Sequence, residues 1–420
     1  MAERAPGVAL ALALVLASGV ATAGARADDG GAGVTFMVTV PPSTPVDAAV
    51  WISGNAAALG SWNGAGVRLE PRGEHQFAAT VAIPAGTALE FKLTRGAWDT
   101  VEKGAAGDEI DNRRWVVRAR DTVYVTVATW RDQTSARAAA KRSTRTGDIR
   151  VHAAFASRFV KPRDVLVWLP PGYAADTTRR YPVLYFHDGN NVFDDSTSFA
   201  GEWHLDEIGA RLIGEGRAAP FIAVAVYNTP DRVAEYTPVA DPRHGGGHAA
   251  DYARFLVGEL KPFIDRAYRT RHEPAATGIA GSSLGGLASL AIAMDHPDVF
   301  GLVGAVSPSA WWADRWIVAR AATSPRTLRV WIDIGTAESG LNDDPGQYVS
   351  GARGVRDALV GAGFRDASAG EAPPGGGVVR YLEVEGGRHN ESAWSARLDR
   401  ILEFLLPPAA PAAPPRRARR

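Results

Sequence analysis

The pattern with the most direct chemical content is Gly281-Ser282-Ser283-Leu284-Gly285-Gly286. It follows the strand-like Thr277-Gly278-Ile279-Ala280 and precedes a helix-forming stretch from Leu287 to Met294. Alone, such a hexapeptide is also an ordinary turn. Between a strand and a helix it is a nucleophile elbow, in which the serine occupies a strained turn and the flanking glycines remove Cβ clashes. The following helix points free N–H groups and its positive dipole end at a reacting oxygen. Ser283 is therefore the candidate nucleophile, and the Leu284 N–H a candidate oxyanion donor.

A serine hydroxyl needs a base, and in elbow-bearing folds the chain order is serine, acid, histidine. Two histidines follow Ser283. His296, in Asp295-His296-Pro297, marks a helix end. His389, in Gly386-Gly387-Arg388-His389-Asn390-Glu391, follows the last predicted strand and is the candidate base. The acid has to leave the carboxyl end of a strand to hold the imidazole. Glu338 does so directly after Leu328 to Gly335, with Asp343 and Asp344 as rivals and Asp333 inside the strand.

The second oxyanion donor is expected from His187-Asp188-Gly189-Asn190-Asn191, the loop after Tyr181 to Phe186, through the N–H of Gly189 or Asn190. A simple Asp-Gly turn is the alternative. Trp203, Arg232, Tyr236, Trp311 and Trp312 stand near predicted strand ends and are candidates for a substrate pocket or for packing. Cysteine is absent, which excludes a thiol nucleophile and a thiolate metal site, and no cofactor or metal is implied.

The elements that must carry these residues run from Asp148 onward. Apolar strands at Val165 to Leu169, Val183 to Phe186, Phe221 to Val226, Thr277 to Ala280, Leu302 to Val306, Leu328 to Ile334 and Val378 to Val384 alternate with helical segments. That alternation predicts a mostly parallel α/β sheet with helices on both faces, over residues 148–406. Ahead of it, short runs at Val34 to Val40, Ala48 to Ile52, Gln76 to Ile83, Ala88 to Leu93 and Thr122 to Val127 predict a small all-β sandwich over 28–130. Residues 131–147 read as a linker, and 407–420 as a disordered Pro/Ala/Arg tail.

Residues 1–27 carry a basic start, an apolar run from Val8 to Val20 and an Ala25-Arg26-Ala27 end, the pattern of a signal peptide. Export to the periplasm or beyond is expected, with no integral membrane segment after cleavage. Lys plus Arg balance Asp plus Glu at 46 each, so no global field recruits nucleic acid.

Over Asp148 to Leu406 the chain resembles the bacterial esterase family that includes enterochelin and bacillibactin esterases, feruloyl esterases and the mycolyl-transferring antigen 85 proteins. The matching residues are Tyr185 to Asp194, the elbow, Ser307-Pro308-Ser309 with Trp311-Trp312, Gly335-Thr336-Ala337-Glu338, and His389-Asn390-Glu391 with Trp394. The family's acid after the Gly-Thr pair is often Asp, so Glu338 is a departure. The front domain resembles starch-binding-type immunoglobulin-like modules through Gly54-Asn55, Leu59-Gly60-Ser61-Trp62, Phe91-Lys92, Glu102 and Asn112-Arg113. Such modules usually place a sugar-stacking tryptophan before the glutamate, and here Val101 stands there. Trp62 and Trp98 are the sugar-contact candidates, with Trp62 expected partly buried and Trp98 useful only if it points outward.

The resemblance implies a serine carboxylic-ester hydrolase acting on an ester of a siderophore, phenolic acid or acylated carbohydrate. The alternatives are an acyltransferase with a sugar or lipid alcohol acceptor, and a non-catalytic carbohydrate-binding protein. The front domain is expected to be an accessory module without classical starch affinity.

Overall fold

The computed structural model describes residues 33–133, 143–198, 201–242, 244–338 and 345–408. The expected signal peptide, linker residues 134–142, Asp343, Asp344 and tail residues 409–420 lie outside them.

The front unit is all-β. Seven strands pair in the order Arg113–Val116, Ala88–Thr94, Val50–Gly54, Val67–Gly73, Gln76–Ala82, Gly33–Thr39, Asp121–Thr126. In Gly33–Thr39 the residues Val34, Phe36 and Val38 are buried, the period-2 alternation of a half-buried strand. Phe36 meets Phe91 edge-on at 5.3 Å in this core. Val67–Gly73 and Arg113–Val116 are not among the expected strands. Their sequences, VRLEPRG and RRWV, are largely exposed and polar, so sheet pairing rather than pattern makes them strands.

The second unit has a nine-stranded mixed sheet, ordered Asp148–Phe155, Arg163–Leu169, Ile222–Val226, Val183–Phe186, Thr277–Ser282, Leu302–Val306, Arg329–Gly335, Val378–Val384, Arg365–Asp366. Arg163–Leu169 pairs antiparallel with both its neighbours, and the remaining neighbouring strands pair parallel. Its central strands are buried along their whole length because helices cover both faces. Alternate residues of one strand show the two faces. Val165 and Val167 pack on the side of the helix Leu284–Asp295, whereas Leu166 and Trp168 pack on the side of Leu205–Gly214 and Leu398–Leu405.

Two features depart from expectation. Asp148–Phe155 forms an antiparallel edge strand whose exposed side chains carry no strand signal. The end of the expected linker is also bound rather than free: the Thr144 hydroxyl donates to Glu202 (2.7 Å), and the Thr146 N–H donates to Asp206 (2.6 Å). Among the described residues no helix is long and apolar enough to cross a membrane.

Candidate active site

Strand Thr277–Ser282 ends at Ser283, which has φ 58° and ψ −122°, and helix Leu284–Asp295 begins at once. Such a backbone costs a non-glycine residue about 1–3 kcal/mol. It is held by the Ser283 N–H donating to Val306 O and the Ser309 N–H donating to Ser283 O, both at 3.0 Å. A Cβ at Gly281 would lie 3.0 Å from the His187 side chain, so the glycine lets the loop after Val183–Phe186 approach the elbow. The expected helix start, Leu287, is one turn late: Leu284 is already helical, and its N–H lies in the unpaired first turn.

Glu338 is fully buried. Its Oε2 lies 2.8 Å from His389 Nδ1, while Oε1 accepts from the Gly335 N–H (2.7 Å) and from the Ser307 hydroxyl. The two loops carrying this pair touch through glycine backbones: a Cβ at Gly387 would lie 3.0 Å from Gly335 Cα, and the Ala337 N–H donates to Gly387 O (3.0 Å). The imidazole sits edge-on to Trp394 at 5.0 Å and 5.5 Å from Tyr348.

Ser307-Pro308-Ser309 joins this pair to the elbow. Ser307, at φ 43°, also accepts from Trp394 Nε1 (3.0 Å) and Arg397 Nη2 (3.1 Å). Ser309 Oγ lies 3.2 Å from Ser283 Oγ. No hydrogen bond links Ser283 to His389 among the described residues. Beneath, Asp333 is fully buried and pairs with Arg397 at 3.1 Å. Burial raises its pKa, and Arg397 opposes the rise.

On the other side of the elbow, the N–H groups of Gly189 and Asn190 open a short 3-10 turn and have no acceptor among the described residues. The turn is fixed by Asp188, at φ 53°. The Asp188 N–H donates to Tyr236 Oη (3.0 Å), and its carboxylate is gripped twice by Arg232 (2.7 Å each) and once by Asn228 (2.6 Å). Burial acts to raise the Asp188 pKa, but the Arg232 guanidinium outweighs it and the net shift is downward. Burial pushes His187 down to about 4, so this imidazole is neutral, with Nδ1 3.0 Å from Tyr252 Oη. Asn191 Nδ2 donates to Glu391 (3.0 Å), whose carboxyl burial pushes up to about 8.

Several residues weighed between pocket and packing are packed. Trp203, Trp312 and Tyr236 are buried in the core. Trp203 lies edge-on to Phe186 at 6.2 Å and tilted against Trp394 at 6.1 Å, Trp312 Nε1 donates to Val239 O (2.8 Å), and Tyr236 supports the Asp188 turn. Arg232 serves that turn too. Trp311 is only 6% exposed and meets Tyr348 at 6.3 Å. A cavity of about 530 Å³ lined by Arg158, Lys161, Asp231, Glu235 and His248 contains none of the elbow, acid or base residues. Ser307, Ser309 and Glu391 entered the sequence reading only as residues of the family resemblance, without a role, and Arg397 was not singled out. The visible signals were a Ser-Pro-Ser at a strand end and an aspartate inside an apolar strand, which demands a cationic partner.

In the front domain Glu102 is buried and holds Arg113 through three contacts of 2.7–3.1 Å, a structural role. Trp98 is 39% exposed and donates Nε1 to Trp62 O (3.2 Å), with the two rings 6.2 Å apart and tilted by 38°. The outward-facing condition on Trp98 is met, and Trp62 adjoins it.

A strained serine between a central strand and a buried helix, on a mixed sheet covered on both faces, defines an α/β hydrolase. Residues 156–405 match the family described as "Putative esterase", and the chain belongs to it and is a carboxylic ester hydrolase. Residues 32–127 match the family described as "Starch binding domain". Similar proteins include the ferri-bacillibactin esterase of Bacillus subtilis, 32% identical over 153 residues, which cover 33% of this chain and 52% of that protein. An α-amylase of Niallia circulans is 43% identical over 103 residues, 24% of this chain and 8% of the amylase. The solved enterobactin esterase of Shigella flexneri shares the fold, with TM-score 0.50 and 14% identity over 88% of this chain and 92% of that one.

Proposed function

We propose that this protein is a serine esterase working through an acyl-enzyme, with Ser283 as nucleophile, His389 as general base and Glu338 as the acid that orients it. The supporting observation is the His389 Nδ1 to Glu338 Oε2 contact of 2.8 Å, on a buried carboxylate whose other oxygen is already satisfied. That contact leaves Nε2 as the proton acceptor.

Ser283 Oγ turns from Ser309 to His389, attacks the ester carbonyl carbon and passes its proton to Nε2. The carbonyl oxygen becomes an oxyanion received by the Leu284 N–H and by the N–H of Gly189 or Asn190. Collapse breaks the ester bond, and the alcohol leaves with the proton from His389. Water then attacks the acyl carbon with His389 again as base, releasing the acid and restoring Ser283.

The substrate class best supported is an ester on or near carbohydrate, on an exported enzyme. Adjacent Trp62 and Trp98 offer two rings to a glucan rather than the single platform expected from sequence. Ser283→Ala in the full chain is the direct test. It should cost on the order of a millionfold in turnover of an aryl ester with circular dichroism unchanged. Retained turnover would overturn the assignment and point to Ser282.

A further inference from the structure

A second cluster of ligating groups lies where residues 143–146 meet the start of the helix Leu205–Gly214. Glu202 and Asp206 are buried, and each has one oxygen satisfied. The Thr144 hydroxyl donates to Glu202 Oε2 (2.7 Å), and Thr146 donates its N–H (2.6 Å) and hydroxyl (3.0 Å) to Asp206 Oδ2. Their other oxygens, Glu202 Oε1 and Asp206 Oδ1, are buried without a hydrogen-bond partner, and so is Glu207 Oε2. A buried acceptor left unpaired costs about 1–3 kcal/mol, more when charged, and here three carboxylates also repel one another. The neighbouring guanidinium of Arg145 is engaged with Asp194 at 2.9 Å.

His204 faces the same spot. At φ 55° and ψ 37° it sets Nδ1 3.4 Å from Glu202 Oε2 and 3.9 Å from the orphan Glu207 Oε2, and one ligand atom from each of the three residues lies within 4.8 Å of the others. Ligands about 2.0–2.2 Å from a tetrahedral zinc are about 3.4 Å apart, so the two histidine pairs, at 3.4 and 3.9 Å, are at or near ligand spacing, and the Glu202–Glu207 pair, within 4.8 Å, closes by side-chain rotation. One imidazole among carboxylates suits a borderline divalent ion better than Ca²⁺ or Mg²⁺, which prefer all-oxygen shells. The half-exposed His204 and partly exposed Glu207 leave room for water ligands and for entry from solvent.

We propose that Glu202, His204 and Glu207 bind a divalent cation of the Zn²⁺ or Mn²⁺ class, with the free oxygen of Asp206 joining the shell directly or through water. The ion neutralises the carboxylate cluster and fastens residues 143–146 to the hydrolase unit. The same segment carries Trp203, whose ring meets Trp394 at 6.1 Å, and Trp394 packs on His389.

The test is titration of chelator-treated full-length protein with ZnCl₂ and MnCl₂, read by calorimetry and thermal unfolding, with CaCl₂ and MgCl₂ in parallel. One site per chain is expected, with Tm rising by about 5 °C or more at a hundred times Kd. His204→Ala and Glu207→Gln, both on the open rim, should each weaken binding at least tenfold. If neither ion binds and Asp206→Asn raises Tm, the carboxyls share a proton and the site is refuted. Ca²⁺ binding left unchanged by His204→Ala would equally refute an imidazole-containing site.

Discussion

His389 Nδ1 lies 2.8 Å from Glu338 Oε2, and the other Glu338 oxygen is taken by the Gly335 N–H and the Ser307 hydroxyl. The carboxylate is thus fixed from both sides before it meets the imidazole, the arrangement that the base role proposed for His389 requires, with Nε2 free.

Glu338→Gln keeps the shape but offers His389 an amide in place of a carboxylate. Turnover of an aryl ester should fall by about ten-thousandfold while Tm changes little. Asp343→Asn and Asp344→Asn should remain near full activity. A crippled Asp343 or Asp344 variant beside an active Glu338→Gln would move the acid to that position.

Arg232 is a two-pronged clamp on buried Asp188, and Lys cannot reproduce the fork. Arg232→Lys should lower kcat more than it raises KM, because the Gly189 and Asn190 N–H groups proposed as oxyanion donors lose their mooring. Arg232→Ala leaves a buried carboxylate unpaired, which is expected to cost about 3–5 kcal/mol in a denaturant titration. Wild-type kinetics in Arg232→Lys would sever Asp188 from the oxyanion turn.

Glu391 carries a pH signature. Its carboxyl is raised from 4.5 to about 8 by burial, so the folded state holds a proton that the unfolded chain has already lost over that interval. The resulting stability is complete below pH about 4.5 and is lost as pH rises through about 8. Glu391→Gln should therefore flatten part of the fall in Tm between pH 5 and pH 8. An unchanged slope would mean Glu391 is ionised in the folded protein.

Trp98→Ala in the full chain should weaken β-cyclodextrin binding by about tenfold or more, since exposed aromatic anchors carry most of such contact energy. Hydrolysis of a small soluble aryl ester should stay within about tenfold, on this variant and after deletion of residues 28–130. No measurable cyclodextrin binding by the wild-type chain would return the front domain to a non-binding accessory role.

The sequence by itself determined the features that depend on neighbours in the chain. The elbow is legible because Gly281, Ser283 and Gly285 must lie in one turn between an apolar strand and a helix. Central strands such as Leu302–Val306 were legible because burial on both faces requires unbroken apolar runs. Chain order and strand ends picked out His389 and Glu338, which the structure sets 2.8 Å apart. What only the tertiary structure decided is who partners whom across distant segments. Asp188 with Arg232, Ser307 with Arg397 and Asp333 with Arg397 join residues 44, 90 and 64 positions apart. Local periodicity says which face of an element is apolar, but not which strand ends become neighbours. The tryptophans divided for the same reason. A large aromatic near a strand end packs inward or faces a ligand according to what the adjoining layer leaves uncovered, so Trp203 and Trp312 lie in the core and Trp98 faces solvent.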